Sequence, residues 1–144
     1  MIENDTVRLL RECDAGTKMG LTAIDEVMDY TKDQRLRDSL NKSREEHKKI
    51  KQELQSRLAQ CHDNGKEPNV MAKSMSWMKT NMKLTMDKSD STVADLITDG
   101  CNMGIKSLNK YFNQYKAADE SSKELAKKLI GAEKQLAYEV REFL

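Results

Sequence analysis

Residues 16–24 read GTKMGLTAI, and residues 100–108 read GCNMGIKSL. Gly, Met and Gly coincide at an offset of 84, and two aliphatic positions agree in character. Around the first stretch, Val7, Leu10, Thr17, Leu21, Ile24 and Met28 recur at threes and fours, the period of an amphipathic helix from about Asp5 to Tyr30. Gly16 and Gly20 each cost such a helix about 1 kcal/mol relative to Ala. Four residues apart, they share one face, and a face of small residues lets another helix approach closely.

Around the second stretch, Val93, Ile97, Cys101, Gly104, Leu108, Tyr111 and Tyr115 form the same kind of stripe, on a helix ending near Lys116. Each glycine-bearing helix is followed by a partner. After TKDQR, Leu36, Leu40, Ser43, His47, Ile50, Leu54 and Leu58 alternate fours and threes up to about Cys61, which suits left-handed bundle packing. Thr31 with Gln34 is a capping box, and Asp33 a competing cap. After Asp119, Leu125, Leu129, Ala132, Leu136, Val140 and Phe143 line the last helix. Short loops make each pair an antiparallel hairpin. An offset of 89 aligns Leu36 with Leu125, Leu40 with Leu129, Ser43 with Ala132 and His47 with Leu136. The pattern reads as an internal duplication within one all-α domain, 1–144. Its parts are a first hairpin (1–61), a crossover (62–91) and a second hairpin (92–144).

The crossover opens on HDNGKEPN, where Asn64-Gly65 supplies a left-handed turn and Pro68 stands near a new helix start. Met71, Met75, Met78, Met82 and Met86 then form a one-sided stripe on a short helix, with Trp77 off the stripe. Adaptable packing is the plain use of such a stripe. Met75, Trp77, Met78 and Met82 are also the candidate interface residues. Thr92 with Asp95 reads as the next cap. A connection of this length can return the chain to the end where the second helix began, so that the second and third helices run parallel.

The 144 residues carry 25 bases and 24 acids, so neither nucleic acid nor an anionic membrane is strongly attracted by net charge. Residues 1–34 hold eight acids against four bases, and residues 35–60 eight bases against four acids. Complementary flanks on the first two helices are the simple consequence. The bases of the second helix (Arg37, Lys42, Arg44, Lys48, Lys49, Lys51) are interrupted by Glu45, Glu46 and Glu53, which makes a poor phosphate track. Cys13, Cys61 and Cys101 form no CxxC pair or disulfide framework. Phosphate-loop, dinucleotide and zincin signatures are missing too. Without a signal-like or membrane-spanning stretch, the expected location is cytoplasmic, with no transmembrane segment.

The stretches LLRECDAGTKMGLTAIDEV (9–27), DQRLRDSLNKSREEHKKIKQEL (33–54) and DGCNMGIKSLNKYFNQYKAADESSKELAKKLIGAEKQL (99–136) resemble an uncharacterised bacterial family of ferritin-like four-helix bundles. The resemblance implies two hairpins joined by a long crossover. The wider superfamily holds two irons with a Glu from each of two helices and a Glu-x-x-His from each of the others. Here the matching quartets are incomplete. Arg44-Glu45-Glu46-His47 begins with Arg, and Glu133-Lys134-Gln135-Leu136 ends with Leu. The other two helices offer Glu12 or Asp14, and Asp95 or Asp99. The favoured reading is therefore a non-enzymatic bundle with no cofactor, acting through a protein partner or as a homo-oligomer. The alternative is a divergent member binding one iron, manganese or zinc through His47, Glu133 and an aspartate, Asp99 or Asp14.

Overall fold

The computed structural model describes residues 4–68 and 86–144. Four helices pack as a bundle: α1 (Asn4–Met28), α2 (Gln34–Gln60), α3 (Asp90–Gln114) and α4 (Glu120–Val140), with a 3-10 turn at Arg141–Phe143. Neighbouring pairs are α1–α2, α3–α4, α1–α3 and α2–α4, and α1 also touches α4 across the diagonal. The expected helix at 70–86, with Met71, Met75, Trp77, Met78 and Met82, lies outside the described residues. Met86 alone of that stripe is described, and it is exposed.

Hydrogen bonds at the bundle ends fix the direction of each helix. The amides of Lys32 and Asp33, in the α1–α2 loop, donate to the two carboxylate oxygens of Asp90 at 2.7 and 3.0 Å. Hence α3 starts where α2 starts, and the two run parallel. At the other end the Asp119 amide donates to Thr6 Oγ1 at 2.9 Å, and Arg57 pairs with Asp119 at 2.6 Å. All four neighbouring pairs are consequently antiparallel, and the α2–α3 connection joins opposite ends of the bundle, as the sequence predicts.

The α2 stripe is buried at all seven predicted positions. On α1 the buried face is rotated. Leu9, Cys13 and Val27 join Leu10, Thr17, Ile24 and Met28, while Val7 and Leu21 are only half-buried. The reason is the glycine side of the helix, which turns inward and carries Leu21 partly out. On α3, Tyr111 and Tyr115 are half-buried and stack on each other over the core. Phe143 is half-buried in the 3-10 turn, beneath the Arg35 guanidinium.

The caps differ in part. Asp119 caps α4, accepting from the Ser122 amide at 2.8 Å. Asp33 caps α2, because the Thr31 hydroxyl is buried and donates back to the Val27 carbonyl at 2.9 Å. Ser89, three residues ahead of Thr92, caps α3. After α2 the amides of His62 and Asp63 donate to the Ala59 and Leu58 carbonyls, at 3.0 and 2.9 Å. These are the two bonds of a Schellman ending. It places His62 at φ 57°, a left-handed conformation usually given to Gly. Gly65, at φ 88°, is the next left-handed residue, whereas Asn64 is not.

Charge pairing also departs from expectation. Between α1 and α2 the ion pair found is Arg44–Asp25. Three other bases of α2 reach toward the last helix and the turn after it: Lys42 to Glu139, Arg57 to Asp119 and Arg35 to Glu142. The acids of α1 are met from its own helix and from the start of the crossover, through Lys18–Asp14 and Lys66–Glu12.

The five buried positions of α3 (Val93, Ala94, Ile97, Cys101 and Leu108) each fall 84 after a buried position of α1: Leu9, Leu10, Cys13, Thr17 and Ile24. Leu36, Leu40, Ser43 and His47 are buried, as are Leu125, Leu129, Ala132 and Leu136. Leu9 and Leu10 belong to the apolar cluster at one end and Val93 and Ala94 to the cluster at the other. Ile24 and Leu108 are divided the opposite way. Since α1 opposes α3 and α2 opposes α4, a half-turn about an axis across the bundle relates the two hairpins approximately.

Candidate functional site

Between the two apolar clusters lies a polar waist, formed by Thr17, Ser43, His47 and Glu133 with Gly20, Cys101 and Gly104. The helical period places Ser43 and His47 one turn apart on the inner face of α2. His47 is 0% exposed and Glu133 only 7%. His47 Nε2 is 2.8 Å from Glu133 Oε1, and His47 Nδ1 is 2.8 Å from the Ser43 carbonyl.

A carbonyl only accepts, so Nδ1 carries a proton. The remaining proton of the pair sits between Nε2 and the carboxylate. Burial alone pulls the imidazole pKa down. The Glu133 hydrogen bond and charge, the Ser43 carbonyl and the charge of Glu46 outweigh burial and raise it above the ordinary histidine value. The shift favours the protonated ring, in a pair sealed from water with both ring nitrogens engaged.

The other helices close the waist. A methyl at Gly20 would lie 3.1 Å from the imidazole and 3.3 Å from Glu133 Oε1. A methyl at Gly104 would lie 3.6 Å from Glu133. The second glycine of each echoed stretch thus makes room for the pair. The first glycines differ: Gly16 faces Leu129 and Leu108, and Gly100 has no neighbour within 4 Å. From α3, the Cys101 thiol adjoins Glu133. Burial, then the charge and proximity of Glu133, hold the thiol protonated, far from nucleophilic thiolate chemistry. On α1, burial followed by Glu12 and Asp14 pushes Cys13 up to about 12.

Of the four residues named for a single-metal site, His47 and Glu133 are brought together. Asp99 is exposed on α3. Asp14 is fully buried but engaged elsewhere, accepting from Lys18 Nζ at 2.8 Å and the Lys66 amide at 3.1 Å. Gly65 passes so close that a methyl there would collide with the Asp14 carboxylate. Arg44 turns toward α1, bonding Asp25 at 2.9 Å and Asn41 at 2.6 Å. Among the described residues no three His, Cys, Asp or Glu side chains converge so as to hold a metal ion. The donor set does not fit one at the waist. Both imidazole nitrogens are committed, and the N–O separation of a hydrogen bond leaves no place for an ion between them.

Sequence reasoning missed Cys101 and the glycines as parts of this site. Their signal was present, since Cys101 and Gly104 stand 84 residues after Thr17 and Gly20. Two further regions are open to solvent. A cleft at the end holding the α3 N-terminus is lined by Met86, Asp87, Ser91, Thr92, Asp95 and Leu144. Met103 and Tyr138 are exposed on α3 and α4. Among the described residues no helix is long and apolar enough to cross a membrane. Compared with protein-family models, curated proteins and solved structures, the chain matches none.

Proposed function

We propose that this chain is a non-enzymatic bundle of ferritin-like architecture, descended from a duplicated hairpin, that works by association with itself or with another protein. The observation that carries this reading is the saturated pair at the waist. In this reading the quartets that resemble the superfamily's metal-binding ones contribute His47 and Glu133, which consume each other's bonding capacity. The interior then serves stability, and function falls to the surface. Met75, Trp77, Met78 and Met82 are the proposed interface residues, on the strength of their spacing and composition. The exposed Met86, which continues that spacing, stands at the edge of the open cleft.

Sedimentation of the untagged chain over a range of concentrations tests this, together with recovery of partners from a cell extract. The expected result is a concentration-dependent mass above one chain, or a stoichiometric partner. In either case Trp77→Ala with Met78→Ala weakens the association. A monomer at every concentration, with no partner recovered, overturns the reading.

One observation favours the divergent metal-binding alternative. An imidazole whose Nδ1–H is held by a backbone carbonyl is oriented as ligating histidines are. Elemental analysis of the untagged protein after incubation with iron, manganese or zinc separates the two readings. Stoichiometric metal that is lost in His47→Gln supports the alternative, and its absence supports the saturated pair.

A further inference from the structure

A bundle whose two halves are related by a half-turn invites a pairing error. Each hairpin offers a similar apolar face, so two like hairpins from different copies form a symmetric, self-complementary interface. The buried leucines do not oppose this, because Leu36 and Leu40 stand where Leu125 and Leu129 stand in the other half. The waist does oppose it. Under the 89-residue offset Arg44 corresponds to Glu133, and His47 to Leu136.

We infer that the His47–Glu133 pair determines pairing specificity: it joins the first hairpin to the second and rejects pairing of like hairpins between copies. This rests on the hairpin correspondence and is independent of which surface recruits a partner. In the native pairing, His47 on α2 meets Glu133 on α4 at 2.8 Å. In a pair of first hairpins the half-turn sets His47 against Arg44 of the other copy, twice. There the buried ring loses the carboxylate that keeps it protonated, and its Nε2 loses its native partner, beside a guanidinium already bonded to Asp25 and Asn41. In a pair of second hairpins, Glu133 faces Leu136 of the other copy, twice. Each carboxylate is then buried without the imidazolium that neutralises it. Both like pairings are penalised, and only the unlike pairing gives the buried imidazole and the buried carboxylate their partner. This is specificity set by what the wrong partner would meet.

The glycines sharpen the selection. Gly20 and Gly104 approach the pair from α1 and α3, and the space they leave is filled in the native pairing by Glu133 and the imidazole. The charged groups facing His47 are Glu133 from α4 and Glu46 on its own helix. From α3, Cys101 reaches Glu133. From α1 comes only the backbone at Gly20. Neither Cys101 nor Gly20 supplies a partner that would rescue a like pairing, and Asp25 of α1 is engaged by Arg44.

The test is refolding of the full-length chain from urea at high protein concentration, using a mixture of light and heavy isotope-labelled chains. Native mass spectrometry then reads mixed-mass dimers. Surface association of the kind proposed above exchanges chains under native conditions. Hairpins paired across copies exchange only through unfolding, so a mixture made after refolding is the control. Two variants remove the charges, His47→Leu with Glu133→Leu, and His47→Gln with Glu133→Gln. The second pair keeps side-chain volume and a hydrogen bond.

Wild type sets the baseline of dimers that require refolding to mix, since exchange of unlike hairpins keeps His47 against Glu133. At least one variant keeps native helicity and yields such dimers at on the order of ten times the wild-type fraction or more. If both variants refold like wild type, the pair does not choose the partner. If neither folds, its role is stability alone. Either result overturns the inference.

Discussion

At Gly20 a single methyl has a predictable cost. It would meet the imidazole at 3.1 Å, and that ring cannot swing away because both of its nitrogens are bonded. Gly20→Ala is expected to destabilise the bundle by about 1–3 kcal/mol, despite the better helix propensity of Ala. Gly100→Ala meets nothing within 4 Å and is expected to stabilise by about 0.5–1 kcal/mol. Urea unfolding of the two variants checks the contrast. Equal effects would place the pair elsewhere than at the waist. Titration follows from the same residues. His47 has a raised folded pKa, so its contribution is complete below the unfolded value of about 6.5 and is lost as pH rises through the folded value. At Asp119, burial raises the pKa but the Ser122 and Arg57 bonds outweigh it, and the net shift is downward. Its contribution is present above the ordinary carboxylate value and disappears as pH falls through its lowered pKa. Stability measured against pH should decline on both sides of this window. In Glu133→Gln the alkaline decline attributable to His47 should be lost or diminished.

At the scale of elements, two ends make separate predictions. His62 closes α2 in a left-handed conformation, so His62→Gly should stabilise by about 1 kcal/mol, read as a higher urea midpoint with unchanged slope. A lower midpoint would show that the His62 side chain contributes more than its backbone conformation costs. Asp90 clasps two loop amides, so Asp90→Ala should cost about 1–2 kcal/mol. It should also speed hydrogen exchange at Lys32 and Asp33 more than at amides in the middle of α2. The sequence foretold these elements unevenly. The α2 stripe was legible at every position, because one helix face repeats without a glycine to disturb it. On α1 the inward turn of the glycine side moved burial from Val7 and Leu21 toward Leu9 and Cys13. The Thr31 box failed because burial sends that hydroxyl back to Val27. At the site, the 89-residue offset placed His47 and Glu133 at related levels. Asp14 was not legible in the same way. Its partner Lys66 lies beyond α2, in a loop where helical periodicity carries no information.

For the whole molecule, the hairpins are alike in their apolar positions and differ in charge at the waist. Likeness gives the bundle its approximate half-turn symmetry, and the charge difference is what our inference makes responsible for correct assembly. The account rests on His47 being a doubly protonated ring bonded to Glu133, with no nitrogen left for a metal. Nitrogen-15 NMR of the imidazole at neutral pH, before and after addition of zinc, tests this most directly. The predicted spectrum shows Nδ1 and Nε2 of His47 both protonated, and zinc leaves both signals unmoved. A His47 ring with an unprotonated Nε2 that shifts on zinc addition would contradict the account.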